Sequence, residues 1–468
     1  MNTAQRPKIG LLALTLDLYE TLAPALRASR EAWVRSALLP RLQPQGDLLF
    51  KTAVCRREEI DGVVAEYEAA GADVLLVLLL TYSPSQLALP ALERTRVPIV
   101  IWNTQELLAV DETFTLAAMI DSHGVHGTQD LANVLLRARV PFHYVTSHPN
   151  EESGLSELGD FFAAAAAARH LRQTRIGLLG YPFPGMGDFA VDTTHLASTL
   201  GCSWRPLSVE EYINRSTTAS SSEVMELAEA YRQAYEIATD LTQSDLEATA
   251  RAELALRGMV SDQRLDAVTY QFLAFGDDER ASTLPFVAAS RLMAEGVGFG
   301  GEGDLIAAAA TAFLNRLQPP ASFSEIFTID FAGNSLFMSH MGEANVAMAR
   351  RDRKIPLVAR PTQITRTRDR QLALVTSFEP GPATFMALTQ GPGGKWRIVA
   401  APVRIADYGP LPGFCVPHFK LEPGGDVREF LTAYAMAGGP HHNAVCFGNA
   451  LRRLRLAAGL MGADYVQL

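Results

Sequence analysis

Three short, almost wholly apolar runs, KIGLLAL (8–14), ADVLLVLLL (72–80) and VPIVIWNT (97–104), constrain the fold most. Each is strand-sized, and none alternates apolar with polar residues. A strand of that kind is buried on both faces. Helix-patterned segments separate the runs, among them YETLAPALRASREAWVRSALLPRL, REEIDGVVAEYEAAG and SPSQLALPALERT. Buried strands alternating with amphipathic helices imply a parallel, doubly wound sheet. In such a sheet the loops after the strands hold the ligand.

A second pattern of this kind begins at RIGLLGYPFPGMGDF. It runs through LEATARAELALRGMVSD and LDAVTYQF to LIAAAATAFLNRL. The alanine-rich FFAAAAAARHL (161–171) is strongly helical and joins the two patterns. After QPPASF the texture changes. IFTIDF, SLFMSHM, LALVTSF, ATFMALTQ and WRIVAAPVRI read as short strands between Gly, Pro and Asn turns, an antiparallel barrel or sandwich. The expected fold is therefore α/β: two Rossmann-like doubly wound domains, 1–170 and 171–318, then a β-rich domain, 319–468.

Composition narrows the function classes. A net charge of −10 and the lack of a basic run argue against nucleic acid. The longest apolar run is about nine residues, against roughly 20 for a membrane span, and the N-terminus does not read as a signal peptide. Cys55, Cys202, Cys415 and Cys446 are scattered, which fits reduced thiols in the cytoplasm.

Three polar clusters carry candidate chemistry. In GVGFGGEGDLIAAAA (296–310), glycines flank Glu302 and Asp304 ahead of a helix. Glycines of this kind let the backbone carry a carboxylate to a site edge; the plainer reading makes Asp304 an N-cap. In SEIFTIDFAGNSLFMSHMGEAN, a hairpin presents Glu325 and Asp330 on one arm and His340 and Glu343 on the other. Strand alternation puts Glu325 and Asp330 on opposite faces unless a bulge intervenes. AGGPHH is a tight turn delivering His441 and His442. His123 and His126 form a further pair in HGVHGTQDL, suited to zinc or to a substrate loop. Two carboxylates and two imidazoles without thiolate suit an octahedral divalent ion such as Mn2+, with room for substrate.

At these residues the chain resembles the L-arabinose isomerase family and, more distantly, L-fucose isomerase. RLMAEGVGFGGEGD, SHMGE and AGGPHH carry the likeness most strongly. The resemblance implies a metal site of Glu302, Glu325, His340 and His442, with the two glutamates catalytic. It implies substrate contacts from Tyr19, His123, His126, Met186 and His441. Asp330 is a rival acid, because the fucose enzymes use a Glu, Asp and His set. Leu16 and His123 replace glutamines typical of the family. The resemblance further implies a sugar substrate and a homo-oligomer, the hexamer favoured, in which neighbouring chains complete each site. The expected activity is a manganese-dependent aldose–ketose isomerase. The alternatives are another metal- and carboxylate-dependent enzyme, such as a glycoside hydrolase or lyase, and a non-catalytic sugar-binding paralogue.

Overall fold

The computed structural model describes residues 6–276, 278–361 and 364–468. The chain forms two compact units, Gln5–Arg169 and His170–Leu468. The alanine-rich segment lies in one helix, Glu152–Gln173, within which the chain passes from one unit to the other.

In Gln5–Arg169, five strands form one parallel sheet: β1 (Lys8–Leu14), β2 (Asp47–Leu49), β3 (Val74–Leu79), β4 (Ile99–Asn103) and β5 (Phe142–Thr146). Their order, β2-β1-β3-β4-β5, is that of a doubly wound fold. Every residue of β3 is buried, as its unbroken apolar run requires.

His170–Leu468 begins with β6 (Arg175–Leu179), β7 (Ser203–Leu207), β8 (Glu236–Ile237), β9 (Ala267–Tyr270) and β10 (Gly298–Gly300). Four of these form a second parallel sheet in the order β10-β9-β6-β7. The remaining strands are β11 (Ala321–Asp330), β12 (Ser335–Ser339), β13 (Pro356–Ala359), β14 (Leu372–Leu374), β15 (Gly381–Gln390), β16 (Trp396–Ile405), β17 (His418–Pro423), β18 (His442–Phe447) and β19 (Asp464–Gln467). A short sheet joins β14, β13 and β8.

Six antiparallel strands run β15-β18-β11-β12-β17-β16 and close through β15–β16 pairing, so the region is a barrel. Closure removes the open edges that a sandwich would leave. Leu336, Met338, Phe385, Val399, Phe419 and Val445 fill its interior. Strand alternation then sends Glu325, Ser339 and His442 to its outer surface. The helix Leu305–Leu317 packs there, against β11, β15 and β18.

The expected alternation along β11 does not survive. The register shifts between Ile326 and Thr328, so that Glu325 pairs with Ser339 and Asp330 with Ser335. Ser335 and Ser339 lie four apart on one strand face, and the bulge therefore returns Asp330 to the face of Glu325.

Candidate metal centre

The loop after β10 is Gly301–Glu302–Gly303–Asp304. Glu302 has φ of 60° and Gly303 of 82°. A left-handed turn at a glutamate is uncommon and costs on the order of 1–3 kcal/mol. Here it presents the carboxylate at the carboxyl end of the sheet. Gly301 leaves room for His340: a Cβ there would stand 2.8 Å from His340 Nε2.

Asp304 has two roles. Its Oδ1 accepts from the Ile306 and Ala307 amides at 2.7 and 2.9 Å, capping the helix Leu305–Leu317. Its Oδ2 accepts from His442 Nδ1 at 2.9 Å. A carboxylate can only accept, so the proton sits on Nδ1 and the Nε2 lone pair of His442 is left outward. His340 is held in the same way. Its Nδ1 lies 2.6 Å from Glu343 Oε2, and Glu343 Oε1 accepts from the Tyr270 hydroxyl.

His340, His442, Asp304, Glu343 and Tyr270 are all buried. Among the described residues, the Nε2 atoms of His340, His441 and His442 have no hydrogen-bond partner. Phe323 packs edge-on against both His340 and His442, at 4.8 and 4.9 Å between centroids, and Phe189 stacks on His442.

Around these nitrogens two ligand triads share His442: Glu302, His441 and His442, and Glu325, His340 and His442. Within each, the donor atoms lie within 4.8 Å of one another. Glu302 Oε2 is 3.7 Å from His442 Nε2 and 3.8 Å from His441 Nε2, an ion-pair rather than a hydrogen-bond distance. Burial would raise the pKa of Glu302, but the imidazoles of His441, His340 and His442 outweigh it and hold the carboxyl low. Burial pulls the pKa of His441 down, but Glu302 and Asp188 outweigh it and raise it to about 9. The His340 pKa is likewise raised: Glu343, Glu325 and Glu302 overcome its desolvation. Imidazoles with carboxylate-fixed tautomers and free Nε2 atoms, set against two carboxylates, form a donor set that fits a divalent cation.

The other expected residues fall as follows. Asp330 is spent at the hairpin turn, where it accepts from Lys420 Nζ at 2.5 Å and from the Gly333 amide at 2.8 Å. Met186 lies on the loop after β6, two residues before Asp188. Tyr19, His123 and His126 gather in the other unit: the Tyr19 hydroxyl is 2.9 Å from His123 Nε2, the two histidine rings are 5.2 Å apart, and Tyr82 stacks on His126.

Three neighbours escaped sequence reasoning. Asp188 bonds both the backbone N–H of His441 (2.9 Å) and its Nδ1 (2.6 Å), Phe189 covers His442, and Tyr270 anchors Glu343. Of these, only Asp188 left a trace, as an acid in a glycine-rich loop after a strand.

Residues 186–318 match the L-arabinose isomerase central domain, and residues 320–464 match the L-arabinose isomerase C-terminal domain. The chain is 27% identical to an L-arabinose isomerase of Acidothermus cellulolyticus over 90% of its own length and 85% of that protein. It is 27% identical to one of Mycolicibacterium smegmatis, over 92% and 88%. A Nocardioides L-arabinose isomerase is 28% identical over 82% and 78%. The family models and the relatives together define an enzyme of the isomerase class. The chain belongs to the arabinose isomerase-like family.

Proposed function

We propose that this protein is a metal-dependent aldose–ketose isomerase whose cation is held by Glu302, Glu325, His340 and His442. One observation carries the reading: the buried Nε2 atoms of His340 and His442 lack partners among the described residues, while carboxylates fix both Nδ1 atoms. Mn2+ is the ion proposed, since an oxygen and nitrogen set without thiolate suits it. When bound, such a cation stabilises negative charge developing on adjacent sugar oxygens.

The chain's own groups move the protons. Glu302 and Glu325 act as a pair: one takes the C2 proton of the aldose and returns it at C1 of the enediolate, and the other carries the hydroxyl proton. The neighbouring imidazoles of His441 and His442 keep Glu302 a carboxylate, the form that accepts a proton. Asp188 holds His441 beside Glu302, where its Nε2 can meet a sugar hydroxyl.

In this reading the protein is cytoplasmic, and no helix among the described residues is long and apolar enough to cross a membrane. It assembles as a homo-oligomer, the hexamer favoured, in which Tyr19, His123 and His126 serve the metal residues of a neighbouring chain. The test is ketose formation from an aldose panel by the EDTA-stripped protein with and without Mn2+. Manganese-dependent product supports the proposal. A fully folded, manganese-binding protein that interconverts no sugar refutes it.

A further inference from the structure

Arg360 follows β13 and is only 9% exposed. Its backbone N–H donates to the Gln371 carbonyl. Among the described residues, two of its three guanidinium nitrogens, Nε and Nη1, have no hydrogen-bond partner. Burying an unpaired charge is costly, and native proteins pair such groups with another side chain, with water or with a ligand. Burial also lowers the pKa of Arg360, against the pull of Glu343.

The position of this guanidinium points to a ligand. Its Cζ sits 5.4 Å from the centre of the Phe286 ring. Gly342 presses on the same ring, where a Cβ would lie 2.5 Å from the ring Cγ. Gly342 stands between His340 and Glu343 in the chain. One aromatic ring thus links Arg360 to the segment that carries a proposed metal ligand. Among the described residues, Glu343, Cys415 and Tyr270 act electrostatically on it. Glu343 is already engaged, through Oε1 by Tyr270 and through Oε2 by His340. Among the described residues, no hydrogen bond or ion pair joins Arg360 to Glu343.

We propose that Arg360 is a substrate anion-binding residue of this site and that the sugar it serves carries a carboxylate remote from its carbonyl end. This rests on the isomerase reading above. One guanidinium balances one negative charge, whereas a phosphate monoester carries nearly two and asks for more donors. A neutral sugar would leave Arg360 buried and unpaired, and a site built for a polar group discriminates strongly against the analogue lacking it.

The test uses the full-length, manganese-loaded protein. Galacturonate, glucuronate and mannuronate are each compared with their own hexose and hexose 6-phosphate, by ketose formation and by thermal shift. At least one uronate is expected to exceed its hexose in kcat/KM and in affinity by roughly 10- to 100-fold, the range for one charge-assisted hydrogen bond. Arg360→Gln should bring that ratio near one, and Arg360→Lys should keep part of it. If these variants do not fold, the ratio in the unaltered protein decides alone.

Hexoses preferred to uronates would overturn the proposal. So would Arg360→Gln weakening both alike together with Mn2+ binding, the signature of a guanidinium that only balances Glu343. A preference for the 6-phosphates would overturn the carboxylate assignment. Uronate binding that depends on Arg360, with no ketose from any sugar, would support the anion site and refute the isomerase reading.

Discussion

Asp304→Asn separates metal binding from folding. Asn is as good an N-cap as Asp, so the bonds from the Ile306 and Ala307 amides persist through its side-chain oxygen. The other arm of the side chain then becomes an NH2 group facing His442 Nδ1, where a carboxylate oxygen had accepted at 2.9 Å. Two donors cannot share that bond. His442, itself 2% exposed, must move its proton to Nε2, the atom that would bind the cation, or lose its orientation. Losing such a supporting group weakens metal binding by about 10–100-fold, or roughly 1.4–2.7 kcal/mol. The unfolding free energy of the metal-free protein should change by no more than about 1 kcal/mol, the worth of one charge at a helix N-terminus. Asp304→Ala should lose both the metal and the cap, the latter worth about 1 kcal/mol. The assay is calorimetric titration with Mn2+, with urea unfolding in EDTA alongside. Wild-type Mn2+ affinity in Asp304→Asn would refute the reasoning.

Four further outcomes follow from the same geometry. Glu343→Gln frees His340 to turn and should weaken Mn2+ by about 10–100-fold in the same titration. Gly301→Ala places a Cβ 2.8 Å from His340 Nε2 and should abolish Mn2+ binding while the far-UV circular dichroism is retained. Asp330→Asn should leave Mn2+ affinity and turnover as they were, because Asp330 serves the hairpin turn and Lys420; lost metal would restore it as a rival acid. In the metal-free protein, desolvation opposes the His441 imidazolium, but Glu302 and Asp188 outweigh it and raise its pKa to about 9. A raised pKa stabilises fully below the unfolded value of roughly 6.5 and is lost as pH rises through about 9. Urea midpoints in EDTA should therefore fall across that window, and His441→Asn should flatten the fall.

Much of the fold was legible because its strands announce themselves. Runs such as 74–79 are buried on both faces, and with amphipathic helices between them they point to a parallel sheet covered by helices. Glu302, Glu325, His340 and His442 were legible as motif residues, and the fold brings them to one place in the loop after β10 and on the outer face of the barrel. The bulge in β11 was not legible, since no glycine or proline marks the shift between Ile326 and Thr328. Nor was the tie from Asp188 to His441, which spans 253 residues and is decided by how the loop after β6 meets β18. The double role of Asp304 was half visible: its spacing before an apolar helix shows the cap, while the bond to His442 exists only once the barrel is packed.

Diffraction from crystals soaked in Mn2+, recorded at the manganese absorption edge, tests the central claim most directly. The account predicts one strong anomalous peak per chain, bonded to His340 Nε2, His442 Nε2 and the carboxylates of Glu302 and Glu325. A peak held by other residues, or no peak in crystals that diffract well after soaking, would contradict it.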